Sequence, residues 1–149
     1  MCGIAGFYHP HKNYTSQEAH YKDILASMAR VQRRRGPDDS GVWLSPHAGL
    51  SHVRLSIIDL AGGPPPKVKS PGGRTAAIAY NGELYNTEEL RKELLSLGHT
   101  FLTSSDTEVI LESYLEYGPD FAERLNGIFA IAIADTANNR LCLVPGRAG

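Results

Sequence analysis

The residues best suited to chemistry lie at the very start of the chain, Met1-Cys2-Gly3-Ile4-Ala5-Gly6. Once Met1 is removed, Cys2 carries a thiol and a free α-amine on one carbon. The amine titrates at about 8 and the thiol at about 8.5, so at neutral pH a share of the amine is free to take the thiol proton, directly or through one water. Nucleophile and base then reside in a single residue, the logic of an N-terminal nucleophile. Cys2 is small enough to permit methionine removal, and Gly3 leaves the approach to the sulfur open. Alone, a Met-Cys start is weak evidence, and the rest of the chain must supply the partners.

A chain of 149 residues with 42% hydrophobic content suits one soluble domain with a real core. A formal net charge of -1 gives no broad attraction to nucleic acid or an anionic membrane. The run Arg33-Arg34-Arg35 reads as a solvated helix end. Cys2 and Cys142 form neither a disulfide framework nor a metal-ligand spacing, and His9 and His11 lack further ligands nearby, so no metal is expected. Cys142 reads as a small buried hydrophobe. No apolar run reaches membrane-span length and no signal-peptide pattern opens the chain, which makes a reducing cytoplasm the default location.

Positioning elements follow from periodicity. Residues 3 to 8 read as a strand. Thr15 and Glu18 form a capping box before a helix from about residue 16 to 33, with Tyr21, Ile24, Leu25, Met28 and Val31 as its core stripe. Pro37 and two glycines break it. Strands are expected at 41–44 and 49–57, followed by an exposed loop over 61–73. Thr75 to Tyr80 is a strand, and Asn81-Gly82 after it reads locally as a hairpin turn. Helices are expected over 87–97, stopped by Gly98, and over 106–117, with a short strand at 99–102 between them. In that reading Asp106 is a helix-start residue. A short helix passes through Phe121 to Leu125. The apolar run 128–135 is a central strand, and 140–144 returns from an Asn138-Asn139 turn. The last residues read as a turn with no closing strand, as in a C-terminally truncated domain.

The blocks Arg35-Gly36-Pro37-Asp38-Asp39-Ser40-Gly41, Arg54-Leu55-Ser56-Ile57-Ile58-Asp59 and Tyr80-Asn81-Gly82-Glu83-Leu84-Tyr85-Asn86 resemble the class II glutamine amidotransferases. So do Ser105-Asp106-Thr107-Glu108 and Leu125-Asn126-Gly127-Ile128-Phe129-Ala130, and all stand in the family's order behind Cys2. Arg-Gly-Pro-Asp is similar to the asparagine synthetase branch in particular. The resemblance covers essentially the whole chain. Two stretches depart from it: Pro64-Pro65-Pro66 stands where the family usually has Gln-Pro, and Pro145-Gly146-Arg147-Ala148-Gly149 where it usually has Arg-Asp-Arg-x-Gly.

The resemblance implies an α+β fold, the four-layer αββα sandwich of N-terminal nucleophile hydrolases. It implies that residues 1–149 are an incomplete glutaminase domain and that a C-terminal synthetase domain is absent. Cys2 would attack the side-chain amide of L-glutamine. The Asn81 amide and the Gly82 N–H would stabilise the oxyanion, and one such donor is typically worth about 3 kcal/mol. Arg54 would pair with the substrate carboxylate. Asp106 would hold its ammonium, with Glu83 lining the pocket. No cofactor is expected in this chain; ATP and Mg²⁺ would belong to the synthetase domain, where aspartate becomes asparagine. A homodimer is compatible with this reading. Two alternatives stay open: an amidotransferase with another acceptor, and a non-catalytic fragment that keeps the fold.

Overall fold

The computed structural model describes residues 2–55 and 65–148. The end of the strand expected at 49–57, the stretch 58–64 and Met1 lie outside the described residues. Strand β1 (Gly3–Tyr8) is followed by a short 3-10 turn (Tyr14–Gln17) and helix α1 (Glu18–Val31). Then come β2 (Asp39–Leu44), β3 (Ala48–Arg54), β4 (Lys67–Lys69) and β5 (Ala76–Leu84). Helices α2 (Thr87–Ser96) and α3 (Asp106–Tyr117) precede β6 (Gly127–Asp135), β7 (Arg140–Val144) and β8 (Arg147–Ala148).

Sheet A runs β1-β3-β2, and sheet B runs β4-β5-β6-β7 with β8 also on β6. All of these strand pairs are antiparallel. Alternation along β3 sends Ala48 and Leu50 inward, where they meet Ala77, Ala79, Ala132 and Ala134 of sheet B. The opposite face of sheet A carries α1: a side chain at Gly49 would strike Phe7 and Leu25. The outer face of sheet B packs Ile78, Tyr80, Ile131 and Ile133 against Leu94 of α2 and Val109, Leu111 and Tyr114 of α3. The order is helix, sheet, sheet, helix, which is the expected αββα sandwich.

Several local expectations are corrected. Asn13, not Thr15, caps the first turn: its side chain accepts from Thr15 N, and a 3-10 turn precedes α1. The loop expected at 61–73 contains β4, paired with Ala76–Ile78. Residues 99–102 form no strand, because Leu102 and Thr103 give their N–H groups to Glu108 instead. The closing turn carries β8, which extends the edge of β6, with Phe129 N–H donating to Gly146 O at 2.8 Å. Cys142 is half-buried on β7 opposite Ile133.

Candidate active site

Cys2 lies half-buried one residue before β1. Two groups from the end of α1 fix the strand it leads. Arg35 Nε donates to the Cys2 carbonyl at 3.2 Å, and Gln32 Nε2 to the Ile4 carbonyl at 3.1 Å. Arg35 is exposed, as read from the sequence, and also anchors the backbone of Cys2.

The β1–β3 ladder ends at Gly3 opposite Val53, and one step further brings Cys2 to the end of sheet A where Arg54 stands. Arg54 faces Asp39 across β2, and its Nη2 donates to Asp39 Oδ2 at 2.8 Å. Asp39 Oδ1 accepts from the Ser40 N–H, which fixes the carboxylate and with it the guanidinium. His52 lies two residues earlier on the same face, 4% exposed. Burial, then the neighbouring Arg54 cation, hold its ring neutral with a pKa of about 4. Asp39 and the backbone of Tyr80 pull the other way and do not prevail.

On sheet B, Asn81 and Gly82 are not a hairpin turn. They sit inside β5, opposite Ala130 and Phe129 of β6. Asn-Gly is a local preference, and nine residues of pairing with β6 override it. Asn81 faces sheet A, as Ala77 and Ala79 do. Tyr85 N–H to Asn126 O at 2.7 Å and Thr136 N–H to Thr75 O at 3.0 Å fix the phase of the ladder. That phase turns the Gly82 N–H away from β6. Gly82 has φ +147°, and a Cβ there would lie 2.2 Å from Ile128 O and 2.6 Å from Phe129 Cα. Gly82→Ala is thus expected to cost at least about 2 kcal/mol through strain and overlap. Gly118, at φ +67° and ψ −151°, meets no neighbour, so Gly118→Ala should cost about 1–3 kcal/mol from backbone strain alone, as urea midpoints would show.

Asp106 is the first residue of α3, and its Oδ2 accepts the Tyr80 hydroxyl at 2.8 Å. Burial, then Asp106, then the charges of Glu83 and Cys2 push the Tyr80 hydroxyl above the ordinary tyrosine range. Tyr80 thus senses both sides: its backbone lies beside the His52 ring, its hydroxyl holds Asp106, and the Cys2 sulfur is within electrostatic reach. Glu83 is exposed at the rim. Cys2 and the Arg54 cation thus belong to one end of sheet A, while the Tyr80 hydroxyl feels Cys2 together with two carboxylates, Glu83 of β5 and Asp106 at the start of α3. Asp39, His52, Tyr80 and Arg35 were not singled out as site residues from the sequence. Asp39 and Arg35 stand inside the Arg-Gly-Pro-Asp-Asp block, the one signal that pointed at them.

Cavities mark other places. A groove of about 600 Å³ lined by Arg30, Arg33, Asp38 and Asp39 opens beside α1. A pocket of about 170 Å³ lined by Tyr8, His47, Asp135 and Arg140 lies where β1 ends. The groove reaches the Asp39 that holds Arg54, and neither cavity is lined by Cys2 or Asn81. Among the described residues, no helix is long and apolar enough to cross a membrane.

The sequence signature of the glutamine amidotransferase domain matches residues 1–149. The glutamine-hydrolyzing asparagine synthetase 3 of Bacillus subtilis (strain 168) is 44% identical over 149 residues, covering 100% of this chain and 24% of its own length. Asparagine synthetase B of Escherichia coli (strain K12) is 38% identical over 136 residues, 91% of this chain and 23% of its length. The chain therefore spans about a quarter of these relatives. Among solved structures, the allosteric regulatory enzyme of purine biosynthesis superposes with a TM-score of 0.53 at 25% identity, over 62% of this chain and 22% of that one. The Bacillus subtilis glutamine phosphoribosylpyrophosphate amidotransferase gives 0.51 at 27% identity, over 60% and 21%.

Proposed function

Because the chain belongs to the glutamine amidotransferase domain family, we propose that it hydrolyses L-glutamine to glutamate and ammonia through a thioester on Cys2. The observation that carries this reading is the convergence on Tyr80 of the Cys2 sulfur, the Asp106 carboxylate and the Arg54-bearing strand. The α-amine of Cys2, freed by loss of Met1, takes the thiol proton as sulfur attacks the amide carbon. The oxyanion that forms is met by the Asn81 amide and the Gly82 N–H. Collapse breaks the C–N bond, and the amine returns its proton to the leaving ammonia. Water then attacks the thioester, its proton passes by way of the same amine to the departing sulfur, and glutamate leaves. Arg54, oriented by Asp39, binds the α-carboxylate, Asp106 binds the α-ammonium, and Glu83 lines the rim.

In the longer protein, the ammonia passes to an ATP- and Mg²⁺-dependent synthetase domain that converts aspartate to asparagine. The higher identity to asparagine synthetases, 44% against 25% for the purine enzyme, favours that acceptor. Two unpaired thiols fit a reducing compartment, the cytoplasm.

The test is to follow glutamate release with hydroxylamine present, since hydroxylamine intercepts a γ-glutamyl thioester as the hydroxamate. Glutamate without trappable hydroxamate would refute the covalent route, and neither glutamate nor hydroxamate would refute the activity. Arg54→Ala is expected to raise KM for glutamine about 10- to 100-fold with little change in kcat, the loss of charge-assisted hydrogen bonds used equally in ground and transition states. An unchanged KM would contradict its role.

A further inference from the structure

Asp106 is held by a residue that takes no part in the bond-making steps. Tyr80 is 6% exposed, its ring packed between sheet B and α3, and its hydroxyl donates to Asp106 Oδ2 at 2.8 Å. A hydroxyl kept protonated by burial is a permanent donor to that oxygen. A carboxylate engaged at Oδ2 loses rotational freedom and meets a second donor with Oδ1. Orientation matters more than usual here, because the N-terminus of α3 carries partial positive charge and by itself repels an ammonium. Asp106 attracts a cation only if its charge is aimed clear of the helix end. Tyr80 also adjoins Asn81 in β5, so one stretch of strand registers the carboxylate against the amide donors.

We propose that Tyr80 is a positioning residue that aims the Asp106 carboxylate at the α-ammonium of the substrate, and so sets the preference for amides that carry that ammonium. The proposal rests on the assignment of Asp106 made above.

The test compares L-glutamine with 4-carbamoylbutanoate, the same molecule without its α-amine, as substrates of this chain. Tyr80→Phe should raise KM for glutamine about tenfold, keep kcat within about threefold, and leave KM for 4-carbamoylbutanoate unchanged within about twofold. A general loosening of the core would affect both substrates alike. Equal changes for the two, or an unchanged KM for glutamine, would overturn the proposal. Tyr80→Leu, which keeps the site apolar, should give the same split and replaces the phenylalanine variant if that one does not fold. Asp106→Asn is run in parallel. If it separates the two substrates and the Tyr80 variants do not, only the role of Tyr80 falls. If Asp106→Asn fails to separate them, the assignment of Asp106 falls and the proposal with it.

Discussion

Cys2→Ala is expected to abolish glutamate release, with a fall on the order of a millionfold, the scale seen when a covalent nucleophile is deleted from a working constellation. The fold should be untouched. Arg35 is anchored to the backbone carbonyl of Cys2, not to its side chain, and β1 is held by Gln32 and by its pairing with β3. The variant should therefore melt with the parent and still bind glutamine through Arg54 and Asp106. Release of glutamate at the parental rate would remove the sulfur from the mechanism.

Glu108→Gln should cause the largest loss of stability. Glu108 is 0% exposed, yet charged. Its carboxylate accepts the N–H groups of Leu102 and Thr103 at 2.9 and 2.7 Å and the Thr103 hydroxyl at 2.6 Å, and pairs with Lys69 at 2.6 Å. Lys69 also bridges to Glu112, whose other oxygen meets His99. An amide in place of the carboxylate removes one of the two carboxylates around Lys69, leaving Glu112, and sets an NH₂ against the donors of Leu102 and Thr103. Breaking one partner of a buried pair costs about 3–5 kcal/mol, a large part of the roughly 5–15 kcal/mol that holds a domain.

The same site fixes an acid dependence. Burial alone would raise the Glu108 carboxyl, but hydrogen bonds from Lys69, Thr103 and two backbone amides hold it at about 2, below its ordinary 4.5. A depressed folded pKa means the contribution is complete above 4.5 and is lost as pH falls toward 2. Urea midpoints at neutral pH and at pH values between these limits should show the gap between parent and Glu108→Gln narrowing as acid is added. A gap that stays constant would contradict the assignment.

What could be read in the sequence follows the range of the forces involved. The apolar runs behind β1, β6 and β7 are local patterns that the structure keeps as strands, whereas the stripe read for α1 holds at Leu25 and fails at Val31, which is exposed where the helix ends. Cys2, Arg54, Asn81, Gly82, Glu83 and Asp106 were reached through the resemblance of short blocks. Asn81-Gly82 defeated local reasoning because its conformation is decided by β6, more than forty residues later. Glu108 was read only as part of a helix-start block, because its partner Lys69 lies on a strand three residues long that composition had marked as loop. Tyr80 was read as a strand end and as the first residue of the Tyr80–Asn86 block, with no role, because its hydroxyl reaches a partner 26 positions away.

The face that sheet B turns to sheet A is lined by alanines, Ala77, Ala79, Ala132 and Ala134, which meet Ala48 and the larger Leu50, Ile4, Tyr8 and Trp43 from the other side. The sulfur belongs to the first sheet and the Asn81 and Gly82 groups to the second, so their separation is a thickness that the alanines of the second sheet keep small. A bulkier residue wedged anywhere along that seam would touch none of the reacting groups and still part them. A 1 Å misplacement at a reacting centre costs about a hundredfold in rate, so on the proposed mechanism Ala79→Leu is expected to lower glutamate release with every reacting group intact.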